Sequence, residues 1–213
     1  MEEAFQRDGV RGVLHQPPLP NGDAIVLTHG AGSNCNASLL VRLAGAFSEA
    51  GFVVLRYDLP FRQQRTSGPP FPAAAERDRA GVVQAIETIR VFSTGRIFAG
   101  GHSYGGRQTA MAASEHPNLA AALLLLSYPL HPPNKPQQKR TSYFPNLQTR
   151  ALFVHGTADS FGSLEELREA LALIPARTDL LPVEGAGHDL KRAAGLSAEI
   201  LERLHALVCY PEV

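Results

Sequence analysis

Cysteine is scarce: Cys35 and Cys209 are the only two in 213 residues. Two distant cysteines make no disulfide framework, and neither belongs to a pair with zinc spacing. A reduced cytoplasm fits this usage best, although a periplasmic protein can share it. Net charge is missing too. Lys plus Arg number 20 and Asp plus Glu number 20, a formal charge of zero. Nucleic-acid binding normally rests on a cationic excess that displaces counterions, so composition gives no support for such a partner. The longest apolar run, Leu119–Leu126, is far shorter than the ~20 residues that span a bilayer. Met1–Asp8 is charged and lacks the apolar stretch of a signal peptide. No G-x-x-x-x-G-K-[ST] is present, which argues against a phosphate-cradling ATPase loop. No His, Cys and carboxylate cluster has ligand spacing, so neither a metal nor a cofactor is expected. At roughly 100–200 residues per domain, a single domain over residues 1–213 is expected.

What is there is an alternation. Short apolar runs lie at Ala24–Thr28, Phe52–Tyr57, Arg96–Ala99, Ala121–Ser127, Ala151–His155 and Thr178–Pro182. Solid apolar runs of this length read as strands covered on both faces. Between them lie amphipathic stretches at Ser38–Ala50, Ala73–Phe92, Gly106–Glu115, Leu164–Ile174 and Leu190–Leu207. Strand and helix in alternation predict an α/β fold with a mainly parallel, doubly wound sheet and helices on both faces. Right-handed crossovers then gather the strands' carboxyl ends on one edge, where ligands bind. Val10–His15 reads as an edge strand followed by a turn over Pro17–Gly22. Residues 58–72 and 128–150 are proline-rich and irregular, and 128–150 is a candidate short cap loop.

The chemistry concentrates in Gly100-Gly101-His102-Ser103-Tyr104-Gly105-Gly106. Gly101-x-Ser103-x-Gly105 follows a strand and opens a helix, the setting of a nucleophile elbow. The pattern alone is weak; the strand–turn–helix context makes it strong. A serine nucleophile needs a base, and the base needs an orienting carboxylate, in the order Ser, acid, His for this layout. Asp159 lies just past the run ending at His155, and His188 lies in the small-residue loop Glu184–Gly187 beyond the next run. The plain alternatives are a turn aspartate and a surface-loop histidine. His102 adjoins the nucleophile but is expected to point away from it, and His29 and His155 read as structural. Oxyanion donors are expected from the backbone N–H of Tyr104 and of Ala31, in the loop His29–Asn34.

That loop also carries a decoy. Gly30-x-Gly32-x-x-Cys35 resembles a dinucleotide fingerprint that lacks its third glycine, with Asp58 as the ribose-binding acid. This reading leaves Ser103, Asp159 and His188 unexplained. Arg62, Arg65 and Arg107 follow strand ends or open the elbow helix, and are candidate substrate-binding cations; Lys135, Lys139 and Arg140 lie in the 128–150 segment. A cationic rim would favour substrates bearing a carboxylate or phosphate, while the bland alternative is a set of solvated surface charges.

The segments LTHGAGSN, GGHSYGG, VHGTADSFGS and GAGHDL resemble the marked stations of the α/β-hydrolase superfamily across almost the whole chain. SYPLHPPNKPQQKRTSYF and HGTADSFGSLEEL are similar to small bacterial hydrolases near dienelactone hydrolases, related to animal testis-expressed and nonspecific-lethal-complex hydrolase-like proteins. The resemblance implies an α/β-hydrolase fold without a large lid domain and a triad of Ser103, Asp159 and His188. Such a triad predicts hydrolysis of an ester or related acyl bond of a small molecule without a cofactor, and the short apolar runs predict no membrane partner. Members of that subgroup often carry Lys and Met around the elbow serine, where this chain has His102 and Tyr104, which favours activity. Dienelactone hydrolases use a cysteine where this chain has Ser103. The contrasting expectation is a catalytically silent scaffold on the same fold.

Overall fold

A computed structural model describes residues 1–191 and 195–209. The chain runs through strands β1 (Glu2–Arg7), β2 (Val10–His15) and β3 (Ala24–Thr28), helix α1 (Ser38–Glu49), and strand β4 (Val53–Asp58). Then come helices α2 (Pro60–Gln64) and α3 (Ala75–Ile89), strand β5 (Ile97–His102), helix α4 (Tyr104–Glu115), and strands β6 (Ala122–Leu126) and β7 (Ala151–Gly156). Helix α5 (Leu164–Leu171), strand β8 (Thr178–Val183) and helix α6 (Leu196–Cys209) complete it. All eight strands form one sheet in the order β1-β2-β4-β3-β5-β6-β7-β8. From β4 to β8 every pairing is parallel, while β2 runs antiparallel to β4 and β1 to β2.

The apolar runs alternate between two cores because successive side chains leave a strand on opposite faces. Ala24 and Val26 of β3 join the core under α3, α4 and α5; Ile25 and Leu27 join the core under α1 and α6. Helix α1 turns Leu39, Leu40, Leu43, Ala44 and Phe47 to the sheet. Phe47 is wholly buried there. Trimming it to Ala would cost about 3–5 kcal/mol.

Several elements depart from the sequence reading. Strand β1 carries no apolar run because only Phe5 is buried among its six residues. Its partner is fixed by Asp8 and Gly9, at φ 51° and 77°, a turn whose twist matches a hairpin. Helix α2 is five residues long with Pro60 at its first position, too short to show a helical period. Strand β5 runs on through Gly100 and Gly101 to His102. A Cβ at Gly100 would stand 2.4 Å from the Leu124 carbonyl oxygen, so glycine there reflects close strand packing rather than a turn. The helix expected from Leu190 is not helical at that residue, which has φ 52°; part of its expected start, residues 192–194, lies outside the described residues. The 128–150 segment is pinned to the core by Leu130, Phe144 and Leu147. Among the described residues no helix is long and apolar enough to cross a membrane.

Candidate active site

Strands β3, β4, β5, β6 and β7 end on the same edge, and the site is assembled there. Ser103 links β5 to α4 with φ 51° and ψ −116°, a conformation that costs a non-glycine residue of order 1–3 kcal/mol. The surrounding packing enforces it. Ser103 N–H donates to the Leu126 carbonyl at 2.8 Å. A Cβ at Gly105 would lie 2.5 Å from the His29 carbonyl oxygen, and one at Gly101 would lie 2.8 Å from the Gly105 carbonyl carbon. These glycines let α4 sit hard against the sheet and push the serine out of it.

Ser103 Oγ lies 2.7 Å from His188 Nε2, and His188 Nδ1 lies 2.8 Å from Asp159 Oδ2. Asp159 reaches this point from the turn after β7, with its side chain fully buried. Burial pushes its carboxyl upward, but the His188 hydrogen bond and charge, the Phe161 N–H and the field of His155 outweigh burial, and the net shift is down. An ionised carboxylate only accepts, so His188 Nδ1–H donates to Asp159 and Nε2 accepts from the Ser103 hydroxyl. Phe161 N–H donates to the other carboxylate oxygen at 2.9 Å. The Phe161 ring stacks on the His188 imidazole at 4.2 Å.

His102 has a partner that sequence reasoning missed. Its Nε2–H donates to the His188 carbonyl at 2.7 Å, tying the loop that carries His188 to the end of β5. Burial is the largest cause of its lowered pKa. The only sequence signal was its position beside the nucleophile. His155 Nε2–H donates to the Gly162 carbonyl at 2.8 Å and lies 3.8 Å from Asp159 Oδ2, beneath the site. His29 accepts from Leu59 N–H at 3.1 Å and holds the loop after β3.

The candidate oxyanion donors flank Ser103. Tyr104 is the first residue of α4, so its N–H has no acceptor within the helix. Its hydroxyl donates to Asp78 at 2.7 Å, and Phe61 N–H donates to the same carboxylate at 2.9 Å. Across the site, Gly30 abuts the serine: a Cβ there would be 3.5 Å from Ser103 Cβ. Ala31 follows directly.

The expected cations divide. Arg62 is buried and donates to the carbonyls of Ala31, Ser33, Arg65 and Gly68 at 2.7–3.0 Å. This corrects the expectation that it meets substrate: its donors are taken by backbone, and it clamps the loop that carries Ala31. Arg65 donates to the Pro69 carbonyl at 3.1 Å and lies 4.4 Å over the Phe71 ring. Arg107, one turn into α4, keeps a buried Nε without a hydrogen-bond partner. The dinucleotide reading loses its acid, since Asp58 accepts Cys35 N–H at 2.8 Å and pairs with Arg11.

A mainly parallel sheet wound on both faces, with a strained serine at a strand–helix elbow facing a histidine and a carboxylate from later strand ends, defines the α/β-hydrolase architecture. The family model described as Alpha/beta hydrolase domain matches residues 21–208, and the chain belongs to that family. Solved structures agree in fold. A serine hydrolase without lid from Xanthomonas campestris is 16% identical at a TM-score of 0.79, over 99% of this chain and 97% of that one. A dienelactone hydrolase from Anabaena variabilis is 20% identical at 0.75, over 97% and 96%. Est1E from Butyrivibrio proteoclasticus with ferulic acid bound is 16% identical at 0.78, over 98% and 100%.

Proposed function

We propose that this protein is a serine hydrolase that cleaves an ester or related acyl bond of a small molecule through an acyl-enzyme. The observation that carries the reading is the unbroken hydrogen-bonded chain from Ser103 through His188 to Asp159. Ser103 Oγ attacks the carbonyl carbon while His188 Nε2 takes its proton. Asp159 holds the imidazole through Nδ1–H and stabilises the imidazolium without taking the proton itself. The oxyanion forms between the N–H groups of Tyr104 and Ala31, at the positive end of α4. His188 then protonates the leaving group, which departs. Water enters, gives its proton to His188 and attacks the acyl carbon, and collapse returns the proton to Ser103 and releases the acid.

A fluorophosphonate reporter tests the reading. One label per chain, located on Ser103 by peptide mass spectrometry and lost in Ser103→Ala, is the expected result. No labelling of the folded protein, together with no turnover of chromogenic esters, would leave a silent scaffold.

A further inference from the structure

Asp78 lies in helix α3, wholly buried, and the two donors that hold it are both neutral. The Tyr104 hydroxyl donates to its Oδ2 at 2.7 Å and the Phe61 N–H to its Oδ1 at 2.9 Å. One donor directly follows the nucleophile in sequence; the other belongs to helix α2, beyond β4. Burial pushes the carboxyl up, and these two bonds pull against it. An acid buried in this way costs a fold stability that an apolar side chain of the same size would not. What it adds is direction, since it gives two separate segments one fixed point.

Both segments lead to the proposed oxyanion donors. On one side, Tyr104 is the first residue of α4. Its ring is fastened at the hydroxyl by Asp78 and meets the Phe61 ring edge-on, with centroids 5.7 Å apart at 89°. A side chain held at its tip and its flank leaves its own Cα little freedom, and the backbone N–H of that residue keeps its direction. On the other side, Phe61 precedes Arg62, whose guanidinium lies 4.9 Å from the Phe61 ring centroid and donates to the carbonyls of Ala31 and Ser33. A continuous path therefore runs from Tyr104 through Asp78, Phe61 and Arg62 to Ala31. Ser103, His188 and Asp159 are not in it.

Helix α2 depends on this link. It has five residues, too few to be stable through its own hydrogen bonds. Leu59 offers it no side-chain cap, and the Phe61 N–H, in the first turn, has no acceptor within the helix. Asp78 supplies the missing acceptor from another helix. Gly81, three residues on and on the same face of α3, completes the seat. A Cβ there would stand 2.5 Å from Pro60 Cδ, so α2 rests directly on the α3 backbone.

We propose that Asp78 is a positioning residue of the hydrolase: its carboxylate locks Tyr104 and helix α2 in one register, and thereby fixes the two oxyanion donors relative to each other. This rests on the serine-hydrolase reading above and adds to it a residue that touches neither substrate nor triad.

The test measures turnover of 4-nitrophenyl butyrate and inhibition by an alkyl trifluoromethyl ketone. Ser103 Oγ adds to the ketone carbon, its proton passes to His188, and the carbonyl oxygen becomes an oxyanion between the two N–H groups. Inhibition therefore reads the donors apart from the leaving-group step. Asp78→Ala should lower kcat about 10- to 100-fold with little change in KM, less than the roughly 10²–10³ lost with a whole donor. Asp78→Asn, which keeps an acceptor for Phe61 N–H, should recover part of the loss. Tyr104→Phe should lower kcat as well, and adding it to Asp78→Ala should cost nothing further, because the two share one link. In each variant Ki for the ketone should rise as kcat/KM falls, while the pH at which activity appears stays fixed, since His188 is untouched. Ile89→Ala removes a fully buried side chain at the far end of α3. It should lower stability and leave kcat and Ki alone, which separates positioning from loss of fold. If Asp78→Ala does not fold, Asp78→Asn and Tyr104→Phe decide. Values of kcat and Ki within twofold of the parent in those two, or a change confined to KM, overturn the proposal and leave the hydrolase standing. If the parent neither cleaves the ester nor binds the ketone, the hydrolase reading falls and Asp78 loses its role with it.

Discussion

The guanidinium of Arg62 donates to the carbonyl of Ala31 at 3.0 Å, so a buried cation holds the far side of the peptide plane next to the proposed oxyanion donor. It also holds Ser33, Arg65 and Gly68 by their carbonyls. Truncation of such a residue leaves four acceptors without a donor and frees the loop. Arg62→Met is expected to cost about 3 kcal/mol or more in stability. Arg62→Lys recovers little of it, because an ammonium cannot reproduce the planar fork. Urea unfolding of both variants checks this, and a loss below 1 kcal/mol, on the order of a single surface contact, would refute the clamp.

Ser103→Ala should abolish ester hydrolysis, by on the order of 10⁴–10⁶ in turnover, in a protein that stays folded. Ser103→Gly should be equally inactive yet more stable than Ser103→Ala by about 1 kcal/mol, because glycine adopts the positive φ without strain. Thermal denaturation of the two variants decides it; equal midpoints mean that the elbow stores no strain.

His102→Phe keeps a ring but loses the donor to the His188 carbonyl. Misplacing the base by a fraction of an ångström should lower kcat about 10- to 100-fold with little change in KM. His102→Gln, which retains an N–H donor, should recover part of the loss. A KM effect without a kcat effect would place His102 in substrate binding instead.

Acid should destabilise the fold early. His15, His29 and His102 all lie below the ordinary histidine value of 6.5, with burial the largest cause in each. The unfolded chain therefore binds protons that the folded chain refuses, and stability drops as pH falls below about 6.5. Asp159, held down on balance by His188, adds a loss in the same direction at lower pH. Asp78 is pushed up by burial, so it opposes the trend from its ordinary value of 3.8 upward. Urea midpoints between neutrality and about pH 5 read the sum, and a level profile would refute the histidine contribution.

The parts of the site legible in the sequence were those tied to strand ends. Ser103, Asp159 and His188 each follow an apolar run, and a parallel sheet brings such positions to one edge whatever the details of packing. What escaped depends on side-chain direction or on backbone partners. Arg62 looks like any loop cation until its four carbonyl acceptors are seen, since carbonyls leave no mark in a sequence. His102 was expected to diverge from the nucleophile, and its bond to the His188 carbonyl, another backbone partner, could not be foreseen. The fold was read from its apolar runs for the same reason, and β1 was missed because five of its six residues are not buried.

The two outermost strands are built against pairing with a foreign strand. β1 presents Glu2, Glu3, Gln6 and Arg7 to water. At the opposite border β8 carries Pro182, which has no N–H to offer, and Asp179 bound by Arg203. Charge on one border and proline on the other blunt the template that an open sheet presents to a foreign strand. Strand-by-strand growth into aggregates thus meets an obstacle at both borders of the sheet.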